Sequence, residues 1–170
     1  PATLRQRLLS DARAVLALAQ ESGRLNVHWI DLAHGLRAKL EMQVPVPCRP
    51  DPSGPVQIAP SALLGVMYPP EALMLPQPGF SFVRILAPHP VWSPNVSPDV
   101  NQALCLGPRL PPGFPLREIL LMTYGALSFQ ITQFNRFDPA GLMNAASADW
   151  WQAHTHLIPL TREPFIRWEG

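Results

Sequence analysis

Proline constrains this chain more than any other residue. There are 22 prolines in 170 residues, where about 5% is usual, and eighteen of them lie between Pro45 and Pro115. Proline fixes φ and removes a backbone donor, so it is excluded from helix interiors and central strands. The middle of the chain must therefore consist of strands joined by long, stiff loops. The two ends, poor in proline, are free to be helical. No internal repeat is visible.

Residues 3–21 read as an amphipathic helix. Leu4, Leu8, Ala12, Val15 and Ala19 recur at spacings of three and four, with Arg5, Arg7, Asp11 and Arg13 between them. Gly23 supplies a stop. Residues 26–34 carry no decisive period, and Asn26 is placed to cap a short helix that buries Trp29, Ile30 and Ala33. Residues 36–44 are the clearest strand: Leu36, Ala38, Leu40, Met42 and Val44 alternate with Arg37, Lys39, Glu41 and Gln43. That alternation fits an antiparallel sheet with one face in the core.

Residues 45–55 are expected to form a proline-rich loop carrying Cys48 as an incidental thiol. One or two strands follow in 56–67, then Tyr68-Pro69-Pro70-Glu71 and an extended passage to Pro78. Residues 80–86 alternate again and form another strand. From Pro88 to Gly113 the pattern is irregular, and so long an irregular stretch in a compact domain is usually functional. Residues 116–129 are a helix with Leu116, Ile119, Leu120, Thr123 and Leu127 inward and Pro115 at its first position. Asp138-Pro139 is expected to open the last helix, Asp as N-cap and Pro next, with Leu142, Ala145, Ala146, Asp149 and Trp150 following. Trp150 and Trp151 are read as packing residues. Pro159 and Pro164 mark an extended tail. The order is helix, three or four antiparallel strands, a long loop and two helices, an α+β fold.

Composition removes several functions. A net charge of +1 gives no electrostatic case for nucleic acid. Cys48 and Cys105 make neither a CxxC nor a CxxH pattern, so a disulfide framework is not expected and a reducing cytosol is the default. The five histidines are scattered, and His154 and His156, two apart, point to different faces of a helix. Neither metal nor cofactor is expected. No apolar run approaches the length of a membrane span, about 18 residues, and Pro1 to Arg7 holds no apolar signal segment before Asp11. A cytoplasmic location follows.

Three residues carry candidate chemistry. Cys105 lies in the apolar segment Ala103-Leu104-Cys105-Leu106-Gly107, ten residues after Asn95. Cys105 is either a small buried hydrophobe on a strand or a nucleophile, which needs access and a donor for a tetrahedral oxyanion. Asn95 offers such an amide, or else it ties its loop through an Asx-turn. Asp138 offers a carboxylate to orient an incoming amine, or it only caps its helix.

In order and spacing these segments resemble the ubiquitin-conjugating enzyme family. Tyr68-Pro69-Pro70-Glu71 and Pro76-Gln77-Pro78-Gly79-Phe80 resemble its Tyr/Phe-Pro-Pro and Pro-x-x-x-Phe elements. Ser93-Pro94-Asn95-Val96 resembles its His-Pro-Asn motif with Ser for His, and His89-Pro90 lies just upstream. Leu104-Cys105-Leu106 resembles its Ile/Val-Cys-Leu, and Asp138-Pro139 its later Asp-Pro. The likeness covers residues 36–155 of a single 1–170 domain, after an N-terminal helical region 1–35 and before an extended tail 156–170. Asn95 stands about two residues further from Cys105 than the family pattern has it. Gly107 and the short C-terminal helical region look most like bacterial members, which are often encoded with a ubiquitin-like protein, an activating enzyme and a JAB-type peptidase in antiphage defence operons.

The resemblance implies an N-terminal helix, an antiparallel four-strand meander, an active-site loop and two C-terminal helices. It also implies an activity: Cys105 carries a ubiquitin-like protein as a thioester and passes it to a substrate amine, with Asn95 and Asp138 assisting. The partners would be an activating enzyme, a ubiquitin-like protein and a protein substrate, with the Arg5, Arg7 and Arg13 face of the first helix touching the activating enzyme. The competing expectations are a catalytically inactive module of the same fold that binds a ubiquitin-like protein or activating enzyme, and a structural subunit docked on an activating enzyme with Cys105 buried.

Overall fold

In the computed structural model, residues 2–131 and 142–167 are described. The first helix, α1, runs Ala2–Ser22. It buries Leu8, Ala12, Val15 and Leu18 along one stripe, as its three-and-four spacing requires. The Gly23 amide bonds the Ala19 carbonyl at 3.2 Å, and Gly23 adopts φ 63°, the left-handed stop a glycine allows.

Among the described residues nine strands follow: β1 Leu25–Asp31, β2 Leu36–Met42, β3 Val46–Cys48, β4 Gln57–Ala59, β5 Ala62–Tyr68, β6 Gln77–Pro78, β7 Val83–Ala87, β8 Ala103–Leu104 and β9 Arg109–Leu110. The main sheet has the order β1-β2-β5-β7-β8, and every pair in it is antiparallel. Its first four strands lie side by side in chain order, with the β3–β4 hairpin and β6 as excursions. Two-stranded ribbons, β3–β4 and β6–β9, flank it. Helix α2 spans Leu116–Leu127 and helix α3 spans Ala145–Gln152, with 3-10 turns at Pro70–Leu73 and Thr155–Leu157. The architecture is α+β.

One cluster of buried apolar side chains joins α1 (Val15, Leu18), the sheet (Leu36, Leu40, Leu64, Ile85), α2 (Leu116, Ile119, Leu120) and Phe165 of the C-terminal tail. The tail lies over the end of α2: Phe165 packs 5.0 Å from Tyr124, and the Tyr124 hydroxyl donates to the Glu163 carbonyl at 2.9 Å.

Several expectations change. Residues 26–34 are no helix: β1 takes Leu25–Asp31 and supplies the fourth strand of the meander. Its register slips between Val27 and Trp29; such a bulge aligns two residues with one partner and breaks the period of two. Cys48 is not in a loop but ends β3, buried. Pro47 fits there because a short two-stranded ribbon asks little of its missing N–H. The passage after Tyr68 includes the Pro70–Leu73 3-10 turn. Pro115 is the N-cap of α2 rather than its first residue. The helix holding Asp149 and Trp150 opens at Ala145, with Asn144 as N-cap: the Asn144 side chain accepts the Ser147 amide at 3.1 Å. Asp138-Pro139 lies outside the described residues.

Candidate active site around Cys105

Cys105 is the first residue after β8, in an irregular segment on the edge of the sheet. Its partner is the Asn95 loop. The Cys105 amide donates to the Asn95 carbonyl at 2.8 Å, the Ser97 amide donates to the Ala103 carbonyl at 2.9 Å, and Val96 bridges Leu104. Ten residues apart in sequence, Cys105 and Asn95 are thus opposite one another across a short antiparallel ladder.

The Asn95 loop is turned by its own sequence. Ser93, Pro94, Asn95 and Val96 form a tight turn closed by the Val96 amide on the Ser93 carbonyl at 3.3 Å. Serine first and proline second are the preferences of such a turn. The Ser93 hydroxyl accepts the Asn95 amide at 3.2 Å. The alternative in which Asn95 ties the loop by an Asx-turn is therefore corrected: Ser93, fully buried, does that work. The Asn95 carboxamide has no hydrogen-bond partner among the described residues, although Asn95 is only 5% exposed. His89 is exposed.

Helix α3 holds the loop from the other side. The amides of Met143 and Asn144 both donate to the Pro94 carbonyl, at 2.7 and 3.2 Å. The indole of Trp151 donates to the Trp92 carbonyl at 2.8 Å and packs 4.6 Å from Phe129. Trp150 stacks on His154 at 3.8 Å, and the Arg49 guanidinium lies 4.8 Å above Trp92 and 5.9 Å above Trp150. Both tryptophans pack, as their sequence context suggests.

The segment after the thiol is held by a close approach of two backbones. Leu106 donates to the Gly79 carbonyl at 3.0 Å. A Cβ at Gly79 would stand 1.9 Å from the Gly107 oxygen, so only glycine fits. Gly107 itself adopts φ 118°. Its carbonyl accepts from the Cys105 thiol at 3.4 Å. Cys105 is buried, 9% exposed and so nearly as covered as Cys48, where an accessible nucleophile is expected.

The second thiol differs. Cys48 is clamped in β3 with a bridge to Val91. Burial disfavours its charged form and pushes its pKa above the ordinary thiol value. A thiol held neutral is a poor nucleophile.

Two contributors have no sequence signal of their own. Gly79 sits in a proline–glycine turn that reads as ordinary. Gln102, only 2% exposed, holds the loop entrance through its carboxamide; a glutamine among Asn, Asp and Pro residues reads as solvent-facing. Asp138, the third sequence candidate, lies outside the described residues. Among the described residues no group of three His, Cys, Asp and Glu side chains is arranged to hold a metal ion, and no helix is long and apolar enough to cross a membrane. No family model matches the chain, and no curated protein or solved structure does either.

Proposed function

We propose that this chain is a ubiquitin-conjugating-type acyl carrier. The observation that carries the reading is the Cys105–Asn95 ladder, placed at the edge of an antiparallel meander that follows an N-terminal helix. It puts a thiol, and a carboxamide with no hydrogen-bond partner among the described residues, on adjoining segments, the nucleophile and the oxyanion donor of this reading.

In the first step the Cys105 sulfur attacks the carbonyl carbon of a thioester on an activating enzyme. A new C–S bond forms, and the activating enzyme's sulfur leaves with the electron pair. One thioester replaces another, so no strongly acidic thiol is needed. In the second step a substrate amine attacks the same carbon, the C–S bond breaks and Cys105 leaves as thiolate while the amine gives up its proton. The intermediate oxyanion is where the Asn95 amide acts; a single such donor is worth about 2.7–4 kcal/mol. Asp138 is proposed to orient the amine. The partners are an activating enzyme, a ubiquitin-like protein and a protein substrate. The Arg5 and Arg13 face of α1 meets the activating enzyme, whereas Arg7 is bonded to Asp11 and to the Gly113 carbonyl and is taken out of that face; the setting is the bacterial cytoplasm, and a role in antiphage defence fits the bacterial character of the resemblance.

The low exposure of Cys105, 9%, favours a second reading: a binding module or docked subunit in which the cysteine packs and never carries an acyl group. Alkylating the native protein with iodoacetamide, mapping the adduct and then offering activating enzyme, ATP and a ubiquitin-like protein separates the two. The carrier reading expects Cys105 to be alkylated and loading to be lost with it. A Cys105 that resists alkylation in native protein, together with no loading, supports the packing reading.

A further inference from the structure

Gln102, three residues before the thiol, is buried and makes three side-chain hydrogen bonds. Its backbone is left-handed, φ 46°, unusual for a residue with a Cβ. Its own amide points back to Asp99, meeting both the carbonyl and Oδ1 at 3.2 Å. The Ile85 amide bonds the Gln102 carbonyl at 3.0 Å, but with the Gln102 amide turned away the carbonyl of Ile85 needs another donor. The Gln102 side chain supplies it: Nε2 donates to Ile85 O at 2.8 Å. The second Nε2 proton goes to Pro88 O at 2.9 Å, and Oε1 accepts the Val91 amide at 2.7 Å.

One carboxamide therefore joins three segments. It completes the ladder to β7, it holds the start of the loop that carries Asn95, and it stands three residues before Cys105. Downstream, Ala103 and Leu104 pair with Arg84 and Val83, and the Asn95–Cys105 bond closes the other end of the same loop. We propose that Gln102 is the positioning residue for the Cys105–Asn95 pair, acting through its three side-chain hydrogen bonds and not through its bulk. For acyl transfer this rests on the carrier reading above; for thiol geometry it stands alone.

The donor-and-acceptor character makes the claim testable. Methionine keeps the length and removes every bond. Glutamate keeps the shape but, ionised, faces two carbonyls with no proton to give; protonated, it regains one donor and one acceptor. The measurement is the alkylation rate of Cys105 by iodoacetamide in a Cys48→Ser background, from pH 5 to 8, each variant below its melting temperature. Discharge of the loaded thioester to free lysine is followed in parallel. Gln102→Met is expected to change the Cys105 alkylation rate at least about fivefold relative to Gln102, by the same ratio at every pH. Gln102→Glu, which keeps the acceptor for the Val91 amide but loses both donors, should also depart from the parent at pH 8, with its ratio returning toward one as the pH falls. Discharge should slow about tenfold in both at pH 8.

Rates within twofold of the parent for both variants would overturn the proposal. Unchanged rates in both mean that the side chain only fills space; a Gln102→Glu ratio that stays at its pH 8 value down to pH 5 would also overturn the proposal, because regaining a donor would then restore nothing. A parent protein that never loads overturns the carrier reading and leaves the alkylation profiles to decide on Gln102.

Discussion

The amide of Cys105 donates to the carbonyl of Asn95 at 2.8 Å. That bond sets the two residues opposite one another on adjoining segments, while Ser93 takes over the turn and leaves the Asn95 side chain without a partner among the described residues. The arrangement predicts a kinetic split for Asn95→Ala. Loading from the activating enzyme should proceed, because Asn95 is assigned to the second oxyanion. Discharge of the thioester to lysine should slow by about 100-fold, the scale of losing one oxyanion donor. Single-turnover discharge monitored on non-reducing gels gives the number; equal losses in loading and discharge would mean that Asn95 only shapes the loop.

Gly79 and Gly107 predict a steric effect. Gly79→Ala places a methyl where the Gly107 carbonyl already stands, 1.9 Å away, so the backbone after Cys105 must move. Overpacking of this kind costs about 1–3 kcal/mol, and the thiol that donates to Gly107 should alter its alkylation rate. Denaturant unfolding together with Cys105 labelling checks both, and wild-type values for each would show that the two strands separate freely.

Asn144 ties α3 to the Asn95 loop through its position as N-cap. Asn144→Ala should cost about 1 kcal/mol and lower the melting temperature by about 2–4 °C for a chain of this size. Asn144→Ser should restore most of it, since a hydroxyl also accepts the Ser147 amide. A melting temperature unchanged in Asn144→Ala would show that α3 is fixed by Trp151 and the Pro94 contacts alone.

Cys48 gives a pH prediction with a definite sign. Burial raises its pKa, so the folded chain keeps its proton where the unfolded chain has lost it. Stability must then fall as the pH rises through the unfolded thiol's range, about 8.5 and above. Wild type should lose more stability than Cys48→Ala between pH 8 and 10 in urea titrations. An equal loss in both would mean that the Cys48 thiol is solvated.

What could be read from the sequence, and what could not, follows from the range of the forces involved. Helix α1 and strand β2 were legible because Leu8, Ala12 and Val15, or Leu36, Ala38 and Leu40, repeat with the period of the element that buries them, although Leu18 rather than Ala19 completes the buried stripe of α1. Strand β1 was not, because its bulge at Val27 and Trp29 breaks that period. The start of α3 was misplaced because Asp138-Pro139 has the chemistry of a cap, and Asn144, the residue that caps, has it too. Cys105 and Asn95 were legible as candidates from the order of short motifs. Their hydrogen bond, the Gly79–Gly107 approach and the bonds of Gln102 are long-range contacts with no local pattern.

The central claim is that Cys105 carries the acyl group. The direct measurement is incubation with activating enzyme, ATP and a ubiquitin-like protein, then non-reducing electrophoresis with and without thiol. Wild type and Cys48→Ser should both form an adduct that thiols cleave. Cys105→Ser should form at most a thiol-resistant oxyester, because serine is the poorer nucleophile but makes the more stable acyl bond. A thiol-cleavable adduct on Cys105→Ser would contradict the account and move the acyl group to Cys48; no adduct on wild type would remove the carrier function itself.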